Sequence, residues 1–279
     1  MSLARTRRTV PVCVLALSFF LIQGLSEAMA QPPPPAPPAV AQMGAKPAVQ
    51  VPMARPASKD LPTISYRRVP GGFPVDPGRA DITPVTEGLH ASGRLPLYDA
   101  PGGNPRAFLP PAILGVPVTV PIVERRPGWV AVLLPSVNRR IGWLPAAGWQ
   151  SRSLRDQLVV RISRHELAWL HDGVRRGSWT VATGSPRTPT PLGRTFVLGR
   201  TATEGSVYGG LDALVLGAVP DDRAAVAPGL RDAHTGIHSW HSASAFGRSV
   251  SNGCVRVPRD GQRTLLDHIG PGTPVVVLD

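Results

Sequence analysis

Cysteine is almost missing from this 279-residue chain: only Cys13 and Cys254 are present. Cys13 lies inside an apolar N-terminal run, so Cys254 is the one thiol in the remainder, and no disulfide framework can hold that remainder together. Lysine is rarer than the charge suggests. Of 30 basic residues only Lys46 and Lys59 are lysine, and the formal net charge is +12. Aromatic residues make up 5% and are not interleaved with the arginines, so no nucleic-acid-binding motif is formed and nucleic acid is not expected as a partner. Long apolar runs are also lacking. The one candidate, Val10 to Leu25, is about 16 residues, short of the ~20 that a membrane-spanning helix needs. No other segment could span a bilayer.

That apolar run has the build of an export signal. Arg5, Arg7 and Arg8 precede it, and Ala28-Met29-Ala30 supplies a small-x-small cleavage site before Gln31. Residues 1–30 are therefore read as a signal peptide, with a faint twin-arginine character in Thr6-Arg7-Arg8-Thr9 and an uncleaved anchor as the alternative. Either way the chain is expected outside the cytoplasm, with membrane contact only through that segment. A basic exported protein suits anionic wall polymers as partners.

The 33 prolines and 29 glycines are concentrated early. Residues 31–84 begin Gln-Pro-Pro-Pro-Pro-Ala-Pro-Pro and stay rich in Pro, Ala and Gly, which predicts a largely disordered linker that turns irregular over 63–84. Residues 85–150 carry short β-branched segments with turn signals between them, as in a small β-barrel. From 155 to 279 strand-like runs recur (Leu158–Ile162, Glu166–Leu170, Ser178–Thr183, Thr195–Leu198, Pro274–Leu278). One helical pattern at Gly261–Ile269 places Leu265, Leu266 and Ile269 on one face. The fold class read from this is mostly β, a sandwich with one short helix preceded by a barrel.

Chemistry concentrates in Gly236-Ile237-His238-Ser239-Trp240-His241 and Ser251-Asn252-Gly253-Cys254-Val255-Arg256. A thiol at its ordinary pKa of about 8.5 is mostly protonated at neutral pH, and a nearby imidazole can take the proton. Gly253 permits positive φ and a close backbone approach. The N–H groups of Gly253 and Cys254 are candidate oxyanion donors. Arg256, two residues on in an extended stretch, points to the side of Cys254 and suits a carboxylate. The set reads as acyl transfer through a thioester. His234, His238 and His241 also form a His-x3-His-x2-His pattern, but only Asp232 is near to support it, and zinc sites usually show firmer spacing. No metal and no cofactor are expected.

The two runs resemble the active-site motif of the L,D-transpeptidases, the cysteine enzymes that cross-link peptidoglycan. Ile237-His238-Ser239 matches the first part, and Ser251-x-Gly253-Cys254-Val255-Arg256 the second. Gly184-Ser185-Pro186-Arg187-Thr188-Pro189-Thr190-Pro191-Leu192-Gly193 matches a Pro-rich turn of that fold. The resemblance spans about 155–279. It implies Cys254 as nucleophile, His238 as base, a backbone carbonyl near Ser239 orienting the imidazole, and Arg256 in substrate binding. Ser251, Asn252, Trp240 and Tyr208 are further substrate-contact candidates. Asn252 stands where many members have His, and it cannot titrate. The resemblance further implies peptidoglycan stem peptides as substrate and acylation by carbapenems.

Two other functions stay open on sequence. Water could replace the amine acceptor, giving an L,D-carboxypeptidase, or the site could be degenerate in a wall-binding module. Separately, Gly128-Trp129-x-x-Val132 and Gly142-Trp143-Leu144 resemble bacterial SH3-like domains. Trp129, Trp143 and Trp149 are then either wall contacts or core, with core favoured.

Overall fold

Alternating β-branched runs punctuated by Gly and Pro leave the chain few options but strands, and strands are what form. The structure is a computed structural model that describes residues 50–279. The predicted signal and residues 31–49 of the Pro-rich tract lie outside the described residues.

Seven strands make the first sheet, in the order Pro105–Leu109, Leu95–Tyr98, Ile141–Pro145, Trp129–Leu133, Thr119–Arg126, Glu87–His90 and Gln150–Ser153. All its pairings are antiparallel. Trp129–Leu133 is buried along its whole length, which is why its sequence does not alternate. Trp129 and Trp143 are 1% and 3% exposed, and Trp149 packs against the same core with its indole donating to the Pro145 carbonyl. The core reading favoured for these residues therefore holds over that of wall contacts: each buries aromatic surface in a small domain.

Residues 63–76, expected to be irregular at the end of the linker, are irregular and also packed. Ile64 and Phe73 are buried in the first core, Thr63 bridges to Phe108 and Val75 to Arg140. Pro and Gly deny this segment regular structure, but two apolar side chains at the right spacing suffice to anchor it. Asp76 is fully buried and pairs with Arg194, with Nε to Oδ2 at 2.8 Å and Nη2 to Oδ1 at 2.5 Å.

Eight strands make the second sheet, ordered Val174–Thr180, Glu166–His171, Asp156–Arg161, Pro274–Leu278, Gly193–Thr201, Ala213–Leu216, Gly236–Ser239 and Val255–Val257. The C-terminal strand lies parallel to Asp156–Arg161 at its centre. Val255–Val257 lies parallel to Gly236–Ser239 at one edge. The one α-helix among the described residues, Arg259–His268, follows at once and lays Leu265 and the adjoining Ile269 into the second core. Phe196 and Leu198, from a strand of the second sheet, reach into the first core. The described residues 50–279 thus form a single compact unit.

Candidate active site

The parallel pairing at the sheet edge sets the geometry. Ile237 lies opposite Val255, His238 opposite Arg256 and Ser239 opposite Val257. Ile237, Val255 and Val257 are buried on one face, so His238 and Arg256 share the other. Cys254 immediately precedes the strand and falls on that same face, diagonal to His238. At ordinary strand spacings this puts their backbones about 8 Å apart, a span that two inward-leaning side chains can close. One step back in the register stands Gly236, which has no side chain to obstruct the sulfur.

His238 is 7% exposed. Its Nδ1 lies 2.8 Å from the Ser239 carbonyl oxygen and donates to it. That fixes the tautomer with the proton on Nδ1 and leaves Nε2, which has no hydrogen bond among the described residues, as the basic nitrogen. The expected orienting carbonyl is thus in place. Burial pushes the His238 pKa below its ordinary value, while the Ser239 carbonyl pulls it back and Arg256 adds to the lowering. Burial likewise pushes the Cys254 thiol up, against smaller opposing effects from the Gly236 backbone and Arg256. Both shifts favour the neutral thiol and the neutral imidazole over an ion pair.

A pH prediction follows. Alkylation of Cys254 by a neutral thiol reagent should keep accelerating beyond the pH at which an exposed cysteine levels off, about 8.5. Following rate against pH with the intact protein checks this. A plateau well below pH 7 would mean a preformed thiolate.

The loop before Cys254 corrects two expectations. The Gly253 N–H, one of the two expected oxyanion donors, bonds to Ser251 Oγ at 3.2 Å. The Cys254 N–H carries no hydrogen bond among the described residues and remains the free donor. Ser251, expected to touch substrate, is 2% exposed, and its hydroxyl donates to the Cys254 carbonyl at 2.5 Å. It builds the turn instead. Gly253 has φ +101°, as anticipated, where a side chain would be strained. Asn252 is exposed.

The Pro-rich turn buttresses this loop. Ser185 N–H and Thr188 Oγ1 both donate to the Ser251 carbonyl, at 2.9 and 3.0 Å. Gly184 N–H donates to Thr190 Oγ1 at 2.8 Å. A Cβ on Gly184 would lie 2.3 Å from both the Thr188 carbonyl oxygen and the Thr190 nitrogen, so only glycine fits.

Aromatic rings wall the other side. Tyr208 meets the His238 ring edge-on at 5.0 Å, and Trp240 lies 5.9 Å from it. The Arg256 guanidinium stacks on Trp240 at 3.6 Å, and its buried Nε has no partner. Ser239 Oγ donates to the Tyr208 carbonyl, which ties the 206–208 turn to the strand bearing His238. His241 is exposed. His234 is buried with its two ring nitrogens 2.6 and 2.7 Å from the Leu216 and Tyr66 carbonyl oxygens, so neither faces His238 or a shared ligand. No cluster of potential metal ligands occurs among the described residues.

Sequence reasoning missed Gln262 and Arg259. From the helix, Gln262 Nε2 donates to the Asp212 and Ile237 carbonyls at 2.8 and 3.3 Å. Arg259 donates to Gly209 O at 3.2 and 3.1 Å. Together they hold the loop bearing Tyr208 against the strand bearing His238. A buried Gln at a helical core position was the one available signal.

Residues 155–277 match the family model YkuD, described as the L,D-transpeptidase catalytic domain. This segment, somewhat under half of the chain, is thus similar to an L,D-transpeptidase catalytic domain. Solved structures similar to the chain include L,D-transpeptidase 3 of Mycobacterium tuberculosis with a faropenem-derived adduct. It is 21% identical, with 51% of this chain and 74% of that one covered at a TM-score of 0.37. An L,D-transpeptidase of Mycobacterium smegmatis is 17% identical over 57% and 82% of the two chains, TM-score 0.36. A mutant L,D-transpeptidase of Enterococcus faecium is 20% identical over 44% and 50%, TM-score 0.34. No curated protein matches. No described helix is long and apolar enough to cross a membrane.

Proposed function

We propose that the transpeptidase domain forms 3→3 cross-links between peptidoglycan stem peptides through a Cys254 thioester. The observation that carries this is the His238 ring, held by the Ser239 carbonyl with its free Nε2 on the face shared with Cys254. Substrate entry displaces water and brings thiol and imidazole together, and catalytic hydrogen bonds often tighten only at that stage. Nε2 takes the thiol proton as sulfur attacks the carbonyl of the third, diamino-acid residue of a tetrapeptide stem. The Cys254 N–H faces the developing oxyanion, where one such donor contributes about 3 kcal/mol. The C–N bond to D-alanine breaks, and the imidazolium returns the proton to the departing amine. A side-chain amine of a second stem then attacks the thioester, gives its proton to His238, and frees the thiol.

Arg256 suits the terminal carboxylate of the donor stem: a guanidinium held flat on Trp240 with a free buried Nε offers a fixed pair of donors. Asn252, exposed at the rim, has no proton to contribute, and the reaction as drawn requires none there. The site of action is the peptidoglycan outside the cytoplasm, where the net charge of +12 favours retention on anionic wall polymers. No cofactor enters any step.

The test is intact-mass spectrometry of the protein after incubation with a carbapenem, beside Cys254→Ala. One adduct on the parent and none on the variant is expected. Incubation with purified tetrapeptide then separates the acceptors: cross-linked dimer indicates an amine, free tripeptide indicates water. A Cys254→Ala protein that still yields dimer would sink the proposal.

A further inference from the structure

The long connection from Gly217 to Thr235 runs straight into the strand that bears His238, and residues packed on the first core grip it at both ends. At its start the grip comes from the turn that joins Trp129–Leu133 to Ile141–Pro145. Ser136 N–H donates to the Gly217 carbonyl at 2.7 Å. The Asn138 amide bonds Val219 in both directions, Nδ2 to the carbonyl at 2.7 Å and Oδ1 from the N–H at 3.0 Å. Arg139 pairs with Asp221.

At its end His234 meets Tyr66. Their rings stack with centroids 4.1 Å apart and planes 20° apart, and the His234 N–H donates to the Tyr66 hydroxyl at 3.3 Å. The His234 ring nitrogens reach the Leu216 carbonyl in the second sheet and the Tyr66 carbonyl outside it. A neutral imidazole donates to one of them and an imidazolium to both. Tyr66 packs in turn on the first core. Ser136 Oγ donates to the Ser65 carbonyl at 2.8 Å, so the two grips are joined to each other.

What this holds still is the approach to the thiol. Two residues beyond His234 stands Gly236, whose backbone hydrogen-bonds the Cys254 sulfur. A donor there favours the thiolate. Thr235, between them, is tied on both sides: its N–H donates to the Ala218 carbonyl at 3.0 Å, and its carbonyl accepts from Leu216 N–H at 3.0 Å. A shift of His234 is therefore passed to Gly236 with little slack.

We propose that Tyr66 and His234 are positioning residues of the thiol site, through which the first sheet's side of the molecule fixes the Gly236 N–H against the Cys254 sulfur. The first sheet then serves the reaction without touching substrate. The effect on acylation rests on the function proposed above; the placement of the donor at sulfur is testable apart from it.

Three variants of the full-length protein are compared with the parent. Tyr66→Ala removes the stacked ring. Tyr66→Phe restores the ring and lacks only the long hydroxyl contact. Trp149→Ala weakens the first core at a residue whose indole bonds Pro145 and not this connection. Alkylation of Cys254 by a neutral thiol reagent is followed from about pH 7 to 10, across the ordinary thiol range, and acylation by a carbapenem is timed beside it. Over that range burial keeps His234 neutral. His238 and Arg256, the other groups facing the sulfur, are untouched by the substitutions. Tyr66→Ala is expected to move the alkylation profile to higher pH and to slow acylation about tenfold, because small misplacements at a reacting group are costly. Tyr66→Phe is expected to stay within about twofold of the parent in both. Trp149→Ala is expected to lower Tm and leave the profile in place. An unmoved profile in Tyr66→Ala overturns the proposal, as does an equal movement in Trp149→Ala, which would mark a general loosening. If the parent takes no carbapenem, the transpeptidase reading fails, and the alkylation profiles still decide whether the donor is held from Tyr66.

Discussion

Replacing His238 by Gln should slow acylation of Cys254 by about 10²–10⁴-fold, the range over which a positioned general base acts, with the fold retained. Gln keeps the polarity and approximate length of His and can still donate to the Ser239 carbonyl, so the hydrogen bond at 2.8 Å need not be orphaned. What it removes is the basic Nε2. The neutral thiol then has to ionise against its own burial, with only Gly236 and Arg256 to assist. His241→Gln provides the comparison. Its side chain is exposed and its ring meets Trp240, so its acylation rate should stay within about twofold of the parent. Stopped-flow measurement of carbapenem acylation reads both. Equal rates for His238→Gln and the parent would remove the imidazole from the mechanism.

The same residue sets the acid limb of the pH profile. Burial holds the His238 pKa below its ordinary 6.5, so the free base persists to lower pH than for a solvated histidine. Acylation in the parent should therefore fall only below pH 6.5 as acid is added. In stability the sign is the same: the unfolded chain takes up protons at higher pH than the folded one, so the contribution of neutral His238 is present above 6.5 and is lost as pH falls through the lower folded value.

The nearness of Cys254 to His238, and the Ser239 carbonyl that holds the imidazole, could be read in the sequence because these residues lie in two short runs joined by a parallel pairing. Sequence spacing there translates directly into a shared face. The positive φ at Gly253 was legible for the same local reason. What escaped was decided by partners far away in the chain. Ser251 looks like a substrate contact until the Pro-rich turn is seen to claim its carbonyl and the Cys254 carbonyl its hydroxyl. Gln262 looks like an ordinary helix residue until the carbonyls of Asp212 and Ile237 come within reach. Residues 63–76 read as linker because Pro and Gly rule out a regular element, yet absence of regular structure is not absence of packing. Ile64, Phe73 and Asp76 had no periodicity that could announce them.

Asp76 is where that packing matters most, and Asp76→Ala should destabilise the protein by about 3–5 kcal/mol. The Asp76 side chain is fully buried and that of Arg194 is 7% exposed. Arg194 sits near the start of Gly193–Thr201, the strand hydrogen-bonded to the C-terminal strand at the centre of the second sheet. Its guanidinium donates to both Asp76 carboxylate oxygens. The same carboxylate also accepts from Gly78 N–H at 3.0 Å. Alanine would leave a desolvated cation with no counter-charge, and the flanking backbone amide without its acceptor. The Arg155–Asp172 pair supplies the contrast. Its side chains are 61% and 48% exposed, so Asp172→Ala should cost at most about 1 kcal/mol. For a chain of this size, a loss of 3–5 kcal/mol corresponds to a fall in Tm of roughly 6–20 °C. Thermal unfolding of the two variants beside the parent separates the cases. Adding Arg194→Met to Asp76→Ala removes the stranded charge and should recover much of the loss, because an apolar replacement of a buried pair is often close to neutral. If Asp76→Ala melts within about 2 °C of the parent, water reaches Arg194 on substitution, and the segment carrying Asp76 would be a dispensable attachment and not part of the joint between the two sheets.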